Sequence, residues 1–265
     1  MTIAIADIPV KLNGANRSFS GQLIERYKSF SSDKPAEFSV NITPIAVPVS
    51  ENFMTEVAFR YEPSGRKIKF EMPGFYGNID LLEKSAELFT SEIRIVETTD
   101  YLLRIVFAIL IFNNGGILFH GAGIIRNGLA YVFFGHSGAG KSTVARLSPN
   151  DIVINDDLVA LMPSGNAWAV YATPFWNPTQ VRPISASAPL AGLYRLVQDK
   201  RVDLLPIESG RALAELISNI PVIPDNPFLN AELFVRGKQI LDKIPIYQLH
   251  FLPNDSFWQV VEVQR

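Results

Sequence analysis

The residues with the clearest chemical potential lie between Gly135 and Asp157. Gly135-His136-Ser137-Gly138-Ala139-Gly140-Lys141-Ser142 fits G-x-x-x-x-G-K-[ST] at every fixed position, the pattern of a loop whose backbone N–H groups cradle phosphates. The order of residue types matters. Glycine at 138 and 140 lets successive N–H groups point into one concavity, which a side chain would resist. Lys141 brings a compact positive charge to the outer phosphates, and the Ser142 hydroxyl can ligate magnesium. With Thr143, the whole run from Gly135 is assigned to nucleotide binding.

A glycine-rich strand-to-helix turn can match this pattern by chance, so the flanking residues have to agree with it. Leu129 to Phe134 reads as an apolar strand, and Ser142 to Leu147 reads as a short helix stopped near Ser148-Pro149. Further on, Ile152-Val153-Ile154 is an apolar strand ending in Asn155-Asp156-Asp157. Carboxylates at a strand end beside a phosphate loop can bind magnesium, directly or through water, or accept a proton from a nucleophile. Asn and Asp also favour plain solvated turns. Here the apolar runs on both sides, the second being Leu158 to Met162, carry the acid pair into a sheet edge or cleft.

Upstream, Ile117 to Ile125 and Leu129 to Phe134 are joined by Arg126-Asn127-Gly128. Asn-Gly between apolar runs predicts a hairpin. The strand feeding the phosphate loop therefore has an antiparallel neighbour, which a purely parallel nucleotide-binding sheet would not show at this point. His120 lies on that neighbour, as a plain strand residue or as an imidazole within reach of transferring phosphates.

Behind these residues stand the elements that must position them. Thr99-Asp100 is predicted to cap a helix bearing Leu102, Leu103, Ile105, Val106, Ile109 and Leu110, ended by Asn113-Asn114-Gly115-Gly116. Trp168 to Tyr171 reads as a strand, and Thr173 to Pro178 as a loop able to form an adenine- or peptide-binding edge. Ala188 to Val197 and Arg211 to Ile220 read as helices, the second capped by Ser209, with a turn over Pro221 to Pro227. Ile244 to Leu252 reads as a strand that carries His250 with no visible partner, and Asp255 or Ser256 caps a final helix over Phe257 to Val263. Residues 1–96 show strands at Ala36 to Ile45, Glu56 to Tyr61 and Lys67 to Met72, with turns at Pro63-Ser64-Gly65 and Met72-Pro73-Gly74. This gives an N-terminal α+β module over 1–96, structural or substrate-recruiting, and a catalytic domain over 97–265.

Composition narrows the classes. A chain of 265 residues, 48% hydrophobic and 19% charged, can bury a sizeable core and does not resemble a disordered polymer. Its 24 Lys+Arg against 26 Asp+Glu give a formal charge of −2, so no general attraction draws it to nucleic acid or an anionic membrane. The absence of cysteine removes disulfides, thiolate metal sites and cysteine nucleophiles. Met1 to Val10 lacks a basic leader, and the apolar run Tyr101 to Phe112 is interrupted by Arg104 and falls short of a span. A soluble cytoplasmic protein is expected, with homo-oligomerisation left open.

His120-Gly121, the Gly135–Ser142 loop and Asp156-Asp157, in this order and spacing, resemble the HPr kinase/phosphorylase group of bacterial serine kinases. More loosely they are similar to the phosphoenolpyruvate-carboxykinase-like nucleotide fold. The likeness covers about forty residues. It implies an α/β fold with a mixed-sheet P-loop core of that type, using ATP and magnesium. It also implies that His120 assists catalysis, Lys141 contacts phosphates, Ser142 ligates magnesium and Asp157 takes the proton from a substrate serine. Asp156 would be a supporting acid or metal ligand. Thr143 stands where HPr kinases carry glutamate, and Gln180-Val181-Arg182 only echoes their magnesium-glutamate segment, which argues against HPr itself as substrate. Ser209-Gly210-Arg211 is similar to a Gly-Arg helix start in the same enzymes, and Arg182 and Arg195 are candidates to meet phosphates or an acidic peptide. Some relatives of this type modify lasso-peptide precursors. The implied activity is ATP- and magnesium-dependent phosphorylation of a serine on another protein or peptide. The alternatives are a nucleotide-binding scaffold that has lost transfer and a small-metabolite kinase, which a deep closed pocket would favour.

Overall fold

The computed structural model describes residues 1–14, 17–46, 58–61, 66–176, 181–221 and 227–263. The predicted turn Pro63-Ser64-Gly65, Gln180 and most of the predicted turn Pro221 to Pro227 lie outside the described residues. The fold is mixed α/β and mostly strand, with two mixed sheets, and contacts divide it into units Met1–Phe107 and Ala108–Arg265.

The first unit is built on β1 (Thr2–Ile5), β2 (Ile8–Gly14), α1 (Arg17–Tyr27), β3 (Phe38–Pro44), β4 (Ala58–Tyr61), β5 (Lys67–Met72), β6 (Phe75–Asp80) and β7 (Ser85–Thr90). The strands form one sheet in the order β1-β2-β3-β7-β6-β5-β4, parallel only at β2–β3 and β3–β7. Period-two patterning sets the faces. In β5, Ile68, Phe70 and Met72 point inward while Lys67, Lys69 and Glu71 face water. Helix α2 (Ile95–Asn113) follows. It starts a turn earlier than predicted, so Thr99 and Asp100 lie inside it and cap nothing. The cause is packing: Ile95, Thr98, Thr99 and Leu102 are all buried and extend the inward stripe back past the expected cap. Asp100 instead accepts hydrogen bonds from the Arg26 guanidinium and, at 2.5 Å, from the Tyr27 hydroxyl. Burial drives both the Asp100 carboxyl and the Tyr27 phenol above their usual ranges.

The second unit holds β8 (Ile117–Arg126), β9 (Leu129–Phe134), α3 (Lys141–Arg146), β10 (Ile152–Asn155), β11 (Leu158–Ser164), β12 (Ala167–Tyr171), β13 (Ser187–Gln198), β14 (Asp203–Pro206), α4 (Ser209–Ser218), α5 (Pro227–Leu241), β15 (Ile246–Phe251) and α6 (Phe257–Glu262). Pairings run β8–β9–β13–β12–β11 and back to β8, so these strands close a ring. β13 also pairs with β15 in parallel, and β14 flanks β15. The predicted helix over Ala188 to Val197 is therefore a strand, β13. Its two edges are occupied and burial alternates along it, with Ala188, Leu190, Tyr194 and Leu196 on the buried face; the other face also carries apolar Ala191, Leu193 and Val197, so the residue types lose strict alternation and imitate a helical pattern.

Other differences are local. α4 is capped by Glu208 and not Ser209, because the Glu208 carboxylate accepts the Gly210 and Arg211 N–H groups at 3.0 and 3.2 Å. α5 was not anticipated. One core joins Ala122, Ile124, Tyr131 and Phe133 of the hairpin to Val144 of α3, Tyr194 and Leu196 of β13, Leu249 and Phe251 of β15, and Phe257 and Trp258 of α6. That core fixes α3 against the strands that deliver the phosphate-type loop. Among the described residues, no helix is long and apolar enough to cross a membrane.

Candidate active site

The hairpin comes first in the construction of the site. Asn127 (φ 52°) and Gly128 (φ 77°) both adopt positive φ, as a two-residue type I′ turn requires. The register that follows sets Gly121 opposite Phe134, the last residue of β9. On the other edge of β8, His120 lies opposite Leu158, the first residue after the acid pair. Two chain segments that carry chemistry thus leave the sheet on either side of His120.

The loop from Gly135 turns tightly into α3. Gly140 sits at φ 114°, and a Cβ there would lie 2.5 Å from the Phe251 ring, so glycine is required on two counts. The Ala139 N–H donates to the His136 carbonyl (3.0 Å), and the Gln198 side-chain amide donates to the Gly138 carbonyl (2.7 Å). Lys141 is buried, and its ammonium donates to the Gly135 and His136 carbonyls at 3.0 and 3.4 Å. Burial lowers its pKa, opposed by the charges of Asp157 and Asp156. The cation is held inside the curve of its own loop, stripped of most water, where an anionic oxygen would replace weak neutral acceptors with charged ones.

The acids occupy the break between β10 and β11, where register shifts between Val153 and Asn155. Asp156 is 2% exposed, lies beside Ser142 in the cavity wall and leaves its Oδ1 without a hydrogen-bond partner. Burial, reinforced by the neighbouring Asp157 charge, holds its carboxyl above the usual range. Asp157 Oδ1 is 3.0 Å from His120 Nε2. The histidine is the more exposed partner, with 36% side-chain exposure against 18%, and its backbone N–H donates to the Asn219 carbonyl at 2.7 Å.

A cavity of about 360 Å³ is lined by His120, Ser137, Gly138, Gly140, Lys141, Ser142, Thr143, Asp156, Asp157 and Gln198. Magnesium fits this donor set. A buried anionic oxygen without a partner, a second carboxylate and a hydroxyl are the hard oxygen donors it prefers. Among the described residues, no three His, Cys, Asp or Glu side chains cluster as a metal cage, so a magnesium ion held here by Ser142 and Asp156 would need further oxygen ligands from outside the protein.

Several residues stand elsewhere. Arg195 is 2.6 Å from Glu215 of α4, and Arg211 donates to Gln248 at 3.2 Å; neither they nor Arg182 line the cavity. His250 has partners after all: its Nδ1 is 2.7 Å from Asp199 Oδ2 and its Nε2 is 2.7 Å from the Gln248 amide. Two site residues escape a sequence reading, Gln198 at the loop and Asn155 beneath the acids. Gln198 carries no signal. Asn155 does, as an Asx residue directly before the acids.

No family model matches the chain, and no curated protein matches it. Among solved structures, the Hpr(Ser) kinase/phosphatase from Coxiella burnetii matches at 11% identity and a TM-score of 0.33, covering 56% of this chain and 93% of that chain.

Proposed function

We propose that this protein is a kinase that uses ATP and magnesium to phosphorylate a serine hydroxyl on a protein or peptide. The observation that carries the reading is the meeting of Lys141, Ser142, Asp156, Asp157 and His120 around one cavity. Each has a separate task. The loop N–H groups and Lys141 bind the phosphates. Ser142 and Asp156 would hold magnesium, which neutralises phosphate charge when bound. Asp157, paired with His120 at 3.0 Å, accepts the proton from the attacking hydroxyl. The new bond joins that oxygen to the γ-phosphorus, the bond to the β-bridging oxygen breaks, and ADP leaves with the electron pair. His120 holds Asp157 in orientation and shares the proton. The likeness to HPr kinases stated above supports the same roles.

The test is incubation with labelled ATP, magnesium and an array of serine-containing peptides, read by mass spectrometry for phosphate gain on serine. Tight nucleotide binding without phosphate on any peptide, and without release of inorganic phosphate, would refute transfer and leave a nucleotide-binding scaffold.

A further inference from the structure

Asn155 is fully buried, and both ends of its carboxamide are engaged. Its oxygen accepts the backbone N–H groups of Asp157 and Leu158 at 2.7 and 2.9 Å. Its nitrogen donates to the Thr173 and Phe175 carbonyls at 3.0 and 2.9 Å and lies 3.2 Å from the Thr173 hydroxyl. That hydroxyl donates in turn to the Leu158 carbonyl at 2.6 Å. The acid turn is thus bolted from both sides to the irregular segment that follows β12. A turn needs only the two bonds to the oxygen. The further bonds tie Asn155, which holds the Asp157 N–H, to a second piece of chain, just after the register of β10 against β8 shifts between Val153 and Asn155.

We infer that Asn155 and Thr173 are positioning residues: through the Asp157 backbone they fix its carboxylate against His120 and on the line of the attacking hydroxyl. This rests on the kinase reading. Asp157 lies in the turn between the end of β10 at Asn155 and the start of β11 at Leu158, and its backbone N–H is held by this network. Neither Asn155 nor Thr173 lines the cavity, so their loss leaves phosphate binding intact while displacing the proton acceptor. A displacement on the order of 1 Å at a reacting group costs up to about a hundredfold in rate.

The experiment compares wild type, Thr173→Val and Thr173→Ser. It measures magnesium-dependent release of inorganic phosphate from ATP, with water as acceptor, and ADP affinity by calorimetry. Thr173→Val removes the hydroxyl at nearly constant volume and is expected to lower kcat about tenfold. Its ADP affinity should stay within about twofold, the mark of a change that spares ground-state binding. Thr173→Ser is expected to restore kcat. If Thr173→Val does not fold, Thr173→Cys, with its weak thiol donor, carries the same test. Wild-type turnover in the valine variant overturns the positioning role and leaves the kinase reading standing. A parallel loss of ADP binding and turnover assigns Thr173 to stability alone and also overturns it. If the wild type releases no phosphate to water, the same three proteins are compared on serine peptides; neither phosphate release nor phosphate on any peptide by the wild type, with ADP bound, removes the kinase reading and this inference with it.

Discussion

Asp156→Asn should make the protein more stable and less able to use magnesium. The wild-type carboxylate is 2% exposed, has one oxygen without a partner and neighbours the Asp157 charge. A buried acceptor left unsatisfied costs about 1–3 kcal/mol. The amide still leaves one polar end unsatisfied, so the gain comes from removing a buried charge and its repulsion with Asp157. A net gain of about 1 kcal/mol is expected, or a rise of about 2–4 °C in Tm for a unit of this size. Calorimetry in chelator reads that gain. The same scan with magnesium and ADP reads the cost, because ligand at a hundred times Kd stabilises the wild type by about 2.7 kcal/mol and the variant should lose the metal-dependent part. The pH dependence has a definite sign. Asp156 has a raised pKa in the fold, so its contribution to stability is present below the ordinary carboxyl pKa and is lost as pH rises through the elevated value. The stability gap between variant and wild type should therefore widen from acid toward neutral pH, and magnesium affinity of the wild type should fall as pH drops through the same window. A variant that melts below wild type in chelator, or that keeps the full magnesium increment, would refute the reasoning.

Asp157→Asn should retain ADP binding and lower phosphoryl transfer by about a hundredfold, the scale of a lost general base; an unchanged rate in a quenched-flow assay removes the assignment. Lys141→Ala deletes charge-assisted bonds worth about 1.5–3 kcal/mol and should weaken ADP binding tenfold or more in calorimetry, whereas full affinity would show that the ammonium stays on its own loop. Gly140→Ala forces a Cβ to within 2.5 Å of Phe251 at φ 114° and should cost about 1–3 kcal/mol, seen as a lower Tm; an unchanged Tm contradicts the required conformation. In the first unit, Arg26→Met removes the guanidinium bonded to the buried Asp100 carboxyl, leaving the weaker field of Arg104, and should cost up to about 3–5 kcal/mol in urea unfolding, with a cost below about 1 kcal/mol counting against the pair as structural.

Legibility in the sequence followed distance along the chain. The loop and the hairpin were readable because their causes are local: glycine and asparagine tolerate positive φ, and apolar runs flank both. The acid strand was readable for the same reason. β13 imitates a helix because apolar Ala191, Leu193 and Val197 on its less buried face blur the alternation, and nothing within the segment reveals that its neighbours come from Leu129–Phe134 and Ile246–Phe251. His250 looked partnerless because its carboxylate, Asp199, arrives through the parallel pairing of β13 with β15, a register set by tertiary packing. Asn155 carries the local signal of a turn former, and it does accept the Asp157 and Leu158 N–H groups. Its other partners lie 18 and 20 residues on, in a segment without periodicity, so no pattern could announce them.

The placement of His120 follows from strand polarity. β8 runs antiparallel to both β9 and β11, so the end of one and the start of the other fall at the same level of the sheet, on its two edges. That level is His120-Gly121, and the glycine loop leaves from one side while the acid pair enters from the other. A parallel neighbour in place of β8 would have placed its own C-terminal end beside the loop, with no mid-strand residue between the loop and the acids. The charge balance completes the argument. Two carboxylates face one lysine in the cavity, and one buried carboxylate oxygen has no protein partner. An arrangement of that kind is costly alone, and on the proposed kinase reading a divalent cation entering with a phosphate chain would relieve it, with Asp156 available to the cation and the loop available to the added negative charge. The same geometry would then favour magnesium nucleotide over nucleotide alone.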